Sequence, residues 1–268
     1  MSERHPMTLH RLKQMHAVGE KISMLTCYDA AFARLLDESG VDALLVGDSL
    51  GMVVQGHATT LPVTMAQSVY HTECVTRANR FSWVITDMPF GSYQGTIEQA
   101  IEHAAQLMKA GAHMVKLEGG AWAAPLVRAL VERGIPVCGH LGFTPQSVFS
   151  LGGYRIQGRD AVAVQVLQAD ALALEAAGAS LLVLELLPAT VARSLTSQLS
   201  IPVIGIGAGS GCSGQVLVLH DMLGVSGGRQ PRFVRNFMQG QNDIRAAVQC
   251  YVADVKSGRF PDDTLHGY

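Results

Sequence analysis

A closed (β/α)₈ barrel is the fold this sequence predicts, and three observations predict it. Eight short apolar runs recur along the chain, most of them ending abruptly in a polar or charged residue. Helical patterns separate most of these runs. The length of 268 residues suits one such barrel, which commonly needs ~250 residues. The runs are ISMLT (22–26), ALLVGD (43–48), WVITD (83–87), HMVKLE (113–118), PVCGH (136–140), SLLVLE (180–185), PVIGIG (202–207) and QVLVLHD (215–221). Unalternating Val, Ile and Leu suit strands buried on both faces, as in a parallel sheet flanked by helices. Chemistry in such barrels gathers at the C-terminal strand ends. Those ends here supply Asp48, Asp87, Lys116, Glu118, His140 and Glu185.

After the first run, Asp29 is placed to cap a helix over AAFARLL, which Gly40 ends. The second run leads into an extended loop, LGMVVQGHATTLPVT (50–64), and Thr64-x-x-Gln67 then fits a capping box. Thr96-x-x-Gln99 fits another after the third run, and Ile97, Ile101 and Ala105 share one face of the helix that follows. Gly111, Gly134 and Gly178, like Gly40, stand one or two residues before an apolar run, where a helix end wants a left-handed residue. The fifth run is followed by a second long loop (141–159), rich in Gly, Ser and aromatics, and Asp160 then opens the helix AVAVQVLQADALALEAA. Both long loops leave strand C-termini, the side of lids and substrate contacts. The seventh and eighth runs stand too close for a full helix between them. Residues 221–237 read as loop and 242–258 as a closing helix. With no linker or low-complexity tract, residues 1–268 read as one barrel domain with an N-terminal extension and a C-terminal closing helix.

Charged residues make up 16% of the chain and hydrophobic ones 48%. Average soluble proteins carry about 25% charged residues, so part of the surface is expected to be covered in a homo-oligomer. A net charge of −2 gives no general basic field for nucleic acid. The first residues hold no continuous apolar segment, so no secretory signal is expected. No stretch reaches the ~18 apolar residues of a membrane span. Five cysteines without CxxC spacing suit reduced thiols in a cytoplasmic enzyme.

Asp48, Asp87 and Glu118 close three successive runs and so converge on one mouth. Any one of them could merely cap a helix, but three oxygen donors without clustered His or Cys suit a hard cation, Mg²⁺ before Zn²⁺. Lys116 and Glu118, two apart on one strand, point to the same face. They form either a structural ion pair or a charged interior with a task, in which Lys116 holds a substrate carboxylate. Glu185 sits between Leu184 and Leu186, where burial raises a carboxylate towards the range of a general base. His140 is a polar candidate as readily structural as catalytic, and His220 and Asp221 are weaker ones. The cluster GIGAGSGCSG (205–214) formally contains G-x-G-x-x-G. No helix follows it and no acid stands about 20 residues on, so the dinucleotide reading fails. Phosphate contact and close backbone approach to a ligand both remain open.

The segments MLTCYDAAFARLLDESGVD (24–42), VGDSLGMVVQGHATTLPVT (46–64), TDMPFGSY (86–93), MVKLEGG (114–120), CGHLGFTPQS (138–147), GGYRIQGR (152–159) and VIGIGAG (203–209) resemble those of the ketopantoate hydroxymethyltransferase family. The resemblance covers nearly the whole chain. It implies the same barrel, Mg²⁺ on Asp48, Asp87 and Glu118, and an α-keto acid on Asp48, Ser49, Asp87 and Lys116, with Glu185 as proton acceptor. It further implies a homodecamer of two pentameric rings. The implied reaction moves a hydroxymethyl group from 5,10-methylenetetrahydrofolate to 3-methyl-2-oxobutanoate through a Mg²⁺-stabilised enolate, giving 2-dehydropantoate for pantothenate synthesis. The ending DDTLHGY departs from the family's usual acidic-His-aromatic tail. Three other readings are a Mg²⁺ enzyme of the isocitrate lyase and phosphoenolpyruvate mutase group, a phosphate-sugar isomerase using the glycine cluster, and a non-catalytic assembly protein.

Overall fold

The computed structural model describes residues 4–228 and 230–268. Eight parallel strands form a closed barrel in chain order: β1 (Ile22–Thr26), β2 (Ala43–Val46), β3 (Trp83–Asp87), β4 (Met114–Glu118), β5 (Val137–Gly142), β6 (Leu181–Glu185), β7 (Val203–Ile206) and β8 (Gly214–Leu217), the last pairing with the first. Around it run α1 (Leu9–Ala17), α2 (Ala30–Glu38), α3 (Leu50–Val53), α4 (Met65–Ala78), α5 (Ile97–Lys109), α6 (Ala124–Val131), α7 (Ala161–Ala176), α8 (Ala189–Gln198), α9 (Leu219–Met222), α10 (Ile244–Lys256) and α11 (Asp263–His266).

The predicted helix starts are present as hydrogen bonds. Asp29 accepts from the Phe32 amide at 2.9 Å and Asp160 from the Ala163 amide at 2.9 Å. Thr64 and Thr96 each form the reciprocal capping box with Gln67 and Gln99. Gly111 and Gly178 carry φ of 102° and 103° at helix ends, a left-handed backbone that only glycine adopts cheaply.

Inside the barrel, alternate strand residues point inward: Ile22 and Met24 from β1, Ala43 and Leu45 from β2, Ile85 from β3, Met114 from β4, Cys138 from β5. Leu12 and Met15 of α1 pack into the same cluster and are fully buried. α1 therefore plugs the floor, each side chain contributing ~1.5–3 kcal/mol through burial. The sequence predicts only an N-terminal extension here. Only two of its residues are buried, too few to mark a helical stripe.

Other boundaries also shift. The eighth run is strand only to Leu217, because the Thr26 hydroxyl accepts from the Leu219 amide at 2.9 Å and the chain turns into α9, carrying His220 and Asp221 onto a short helix. The loop at 50–64 opens with α3, and β5 runs on to Gly142, which pairs with Glu185. As expected, β7 and β8 are joined without a helix.

Candidate active site

The inward rows turn polar at the barrel's upper end. Met114, Lys116 and Glu118 are one row, Cys138 and His140 another, Leu181, Val183 and Glu185 a third, and Asp87 ends β3 beyond Ile85. Register places Asp87 beside Lys116 and Glu118 beside His140. Asp48 enters from the turn after β2, its amide donating to Asp87 Oδ2 at 3.0 Å. Asp48, Asp87, Lys116, Glu118 and His140 are all at most 4% exposed.

Lys116 Nζ donates to Asp87 Oδ1 at 2.5 Å. Gln146 joins the other two acids: its side-chain amide donates to Asp48 Oδ2 at 2.9 Å and its backbone amide to Glu118 Oε2 at 2.9 Å. The Tyr93 hydroxyl donates to Gln146 Oε1 at 2.7 Å. Neither Gln146 nor Tyr93 ends an apolar run, so no sequence signal marks them. Ser49 Oγ lies 2.9 Å from the Tyr28 hydroxyl. His140 stands between two acids, Nδ1 at 3.3 Å from Glu118 Oε1 and Nε2 at 3.2 Å from Glu185 Oε2. Neither contact is aligned as a hydrogen bond, so both ring nitrogens and Glu118 Oε1 remain buried without a partner. Such orphans in a native interior ask for a ligand.

Burial pushes the Asp48 carboxyl well above its ordinary range, and Asp87 and Glu118 push it further. Burial likewise raises Glu118 to about 7, although Lys116 opposes the shift. Burial works against the Lys116 ammonium, but Asp87, Glu118 and Asp48 outweigh it and keep it charged. His140 is held neutral, mainly by burial and then by Lys116. Burial raises Glu185, with His140 opposing. Four carboxylates thus share one buried ammonium, and the excess of negative charge fits a hard cation held by oxygen. Among the described residues no three Asp, Glu, His or Cys side chains are gathered into a formed metal site. The unpartnered Glu118 Oε1 and the hard oxygen donors of Asp48 and Asp87 are what suit the ion.

Glu185 is held at its backbone. Its carbonyl accepts from the Phe143 amide at 2.8 Å, and the next residue, Leu186, donates to Ile206 O at 3.0 Å. Leu186 has φ of 50° without being glycine, a strained conformation kept where the surroundings over-determine it. Above the polar layer a cavity of about 1460 Å³ opens between the two long loops and the α9 segment.

The glycine cluster is occupied by the chain itself. Asp263 accepts from the Ser210 amide at 2.6 Å and its hydroxyl at 2.9 Å, with Arg193 at 3.3 Å. The Ser210 amide and hydroxyl, two donors a phosphate would use, are taken by a carboxylate of the chain itself, whose charge opposes a phosphate there and weakens the ground for the sugar-phosphate reading. Burial raises the Cys212 thiol to about 11 and Cys138 further still, so neither is a reactive cysteine of the mutase kind.

The model of the ketopantoate hydroxymethyltransferase family matches residues 6–263. A curated relative from Azoarcus sp., 3-methyl-2-oxobutanoate hydroxymethyltransferase, is 63% identical over 96% of this chain and 95% of its own length. One of the same name, numbered 2, from Methylibium petroleiphilum is 59% identical over 100% of this chain and 96% of its own. Among solved structures, phosphonopyruvate hydrolase, in complex with oxalate and Mg²⁺, superposes with a TM-score of 0.61 at 12% identity, over 79% of this chain and 80% of that one. That likeness concerns the barrel.

Proposed function

The chain belongs to the ketopantoate hydroxymethyltransferase family and is a transferase; on that premise we propose that it carries a hydroxymethyl group from 5,10-methylenetetrahydrofolate to 3-methyl-2-oxobutanoate, giving 2-dehydropantoate for pantothenate synthesis. The observation that carries this reading is the buried ring of Asp48, Asp87, Glu118 and Lys116, with Glu185 across the barrel on β6. Lys116, charged and fixed by Asp87, supplies a point charge for the substrate carboxylate, and Ser49 lines the same wall. Asp48, Asp87 and Glu118 would hold Mg²⁺, which supplies Lewis acidity towards the keto oxygen and so acidifies C3–H. Glu185 takes the C3 proton. Burial raises its pKa and so strengthens it as a base, while His140, near its Oε2, offsets part of that effect. C3 then bonds to the one-carbon unit and water supplies the hydroxyl; both carbon–nitrogen bonds of the donor break, and the proton taken by Glu185 and one from water pass to the donor's nitrogens.

The low charge content and the exposed Val162 and Val166 on α7 support a covered outer face and the homodecamer the family resemblance implies. No helix among the described residues is long and apolar enough to cross a membrane, and five cysteines that form no disulfide support placing the enzyme in the cytoplasm.

The test is proton exchange at C3 of 3-methyl-2-oxobutanoate in D₂O, followed by NMR without folate. Exchange is expected with Mg²⁺ and not with EDTA. Glu185→Gln should abolish it while keto-acid and Mg²⁺ binding, measured by calorimetry, stay near wild type. Undiminished exchange in E185Q removes Glu185 from the base role.

A further inference from the structure

The cavity is larger than the keto acid needs. Its volume of about 1460 Å³ exceeds the ~300–1,000 Å³ of sites built for one drug-sized ligand, and the acids, Lys116 and His140 form only its floor. Two groups of polar side chains on the upper walls have no task in the chemistry above. On the β8 side, the Asp221 carboxylate lines the cavity, and burial raises it while Ser226 and His220 oppose. Beside it His220 Nδ1 is buried without a hydrogen-bond partner. Thr60, 2% exposed, lines the same cavity and its Oγ1 is likewise unpartnered. On the wall formed by the loop after β5, Arg155 and Arg159 face the cavity. Neither meets a carboxylate among the described residues, whereas Arg193, Arg235 and Arg259 each pair with an aspartate. Between the two walls Tyr154 packs on Phe143, ring centres 4.7 Å apart, and its hydroxyl reaches Met52 Sδ on α3 at 3.4 Å. It makes an aromatic platform across the mouth, 58% exposed.

Resting on the reaction proposed above, we propose that this upper lobe seats the folate donor, with Asp221 and His220 taking the aminopyrimidinone edge of its pterin and Arg155 and Arg159 the carboxylates of its glutamyl tail. An aminopyrimidinone offers a ring N–H and an amino N–H side by side, matching the two oxygens of a carboxylate. Its neighbouring acceptors suit the unsatisfied donors of this wall. Planar guanidinium forks match carboxylates bidentately. An extended donor lying over Tyr154 would bring its one-carbon unit down towards C3 and Glu185.

The experiment titrates tetrahydrofolate, and tetrahydropteroate as its glutamate-free counterpart, by calorimetry with Mg²⁺ and keto acid present. The proteins are full-length wild type, D221N and the double variant R155A/R159A, with circular dichroism as the control for folding. Wild type should hold tetrahydrofolate at least about tenfold more tightly than tetrahydropteroate. The double variant should lose that preference and bind tetrahydropteroate as wild type does. D221N should weaken both ligands alike, by at least about tenfold. A preference that survives in the double variant, or unaltered affinity in D221N, overturns the seat. C3 exchange by the wild type needs no donor, so its absence would count against the proposed reaction. Normal exchange with donor binding unaltered in the variants would sink this inference alone.

Discussion

Lys116→Met tests whether one ammonium holds the acid layer together. The perturbation keeps the length of the side chain and removes the one buried ammonium that Asp48, Asp87, Glu118 and Glu185 share. Lys116 and Asp87 side chains are each 5% exposed and 2.5 Å apart. Breaking a buried pair by removing one partner costs about 3–5 kcal/mol, because the other charge is left uncompensated. Asp87 keeps the Asp48 amide at 3.0 Å, which places the expectation near the lower end, about 3 kcal/mol. Urea unfolding in EDTA reads this directly; with a slope of about 3 kcal/mol/M the midpoint falls by about 1 M. Asp87→Asn added to Lys116→Met should recover part of the loss, since the double variant leaves neither charge stranded. The argument fails if K116M costs less than about 1 kcal/mol, or if the two substitutions simply add.

Three further outcomes follow from the packing. In Gly142→Ala, the new Cβ would stand 2.2 Å from Glu185 O at a φ of 90°. Left-handed strain and overpacking together give a loss of about 2–5 kcal/mol. The displaced Glu185 should slow C3 exchange about 100-fold, and wild-type exchange in G142A would separate this glycine from the site. Asp37, 2% exposed, accepts from the amides of Arg80, Phe81 and Ser82 and from the Ser82 hydroxyl at 2.8–3.1 Å. Asp37→Ala should therefore cost about 3 kcal/mol or more in denaturant; a loss under 1 kcal/mol means water replaces it. A thiol reagent at pH 8 should titrate the half-buried Cys74 and Cys250 in the native protein and all five cysteines in urea. Burial lifts Cys27 to about 12 and Cys212 to about 11. Native labelling of Cys138 would mean that the barrel interior is not closed.

The strands were legible because both of their faces are apolar, and the acids because a charge that interrupts such a run has few places to go. That same two-faced burial hides which residues point inward. Ile85 and Val84 look alike in sequence, yet one fills the barrel and the other packs against helices. What acts only through tertiary partners stayed invisible. Gln146 gains its place by touching Asp48, Met88, Tyr93 and Glu118 from three other segments. The glycine cluster looked open to phosphate because its occupant, Asp263, lies 53 residues after Ser210. His220 and Asp221 looked peripheral as the end of a strand, and only the turn into α9 brings them to the cavity wall.

The order of layers also bears on which acid should move the proton. Leu12, Met15 and the apolar rows close the floor, so water can reach the acids only from the mouth. Side-chain exposure then grades them: 3% for Glu118 and His140, 5% for Asp87 and Lys116, but 13% for Glu185. The inner acids are engaged by Lys116, by Gln146 or by backbone amides, and burial works against their negative charge, a cost that a bound cation would relieve. A base has a different requirement: after each turnover it must hand its proton on before it can act again. Glu185 is the acid nearest the solvent side, raised by burial yet adjacent to the neutral His140. At the upper end of β6, level with Gly142, two residues beyond His140 on β5, and beneath the wide cavity, it combines a pKa raised by burial with a route to solvent, the two things the proposed base needs.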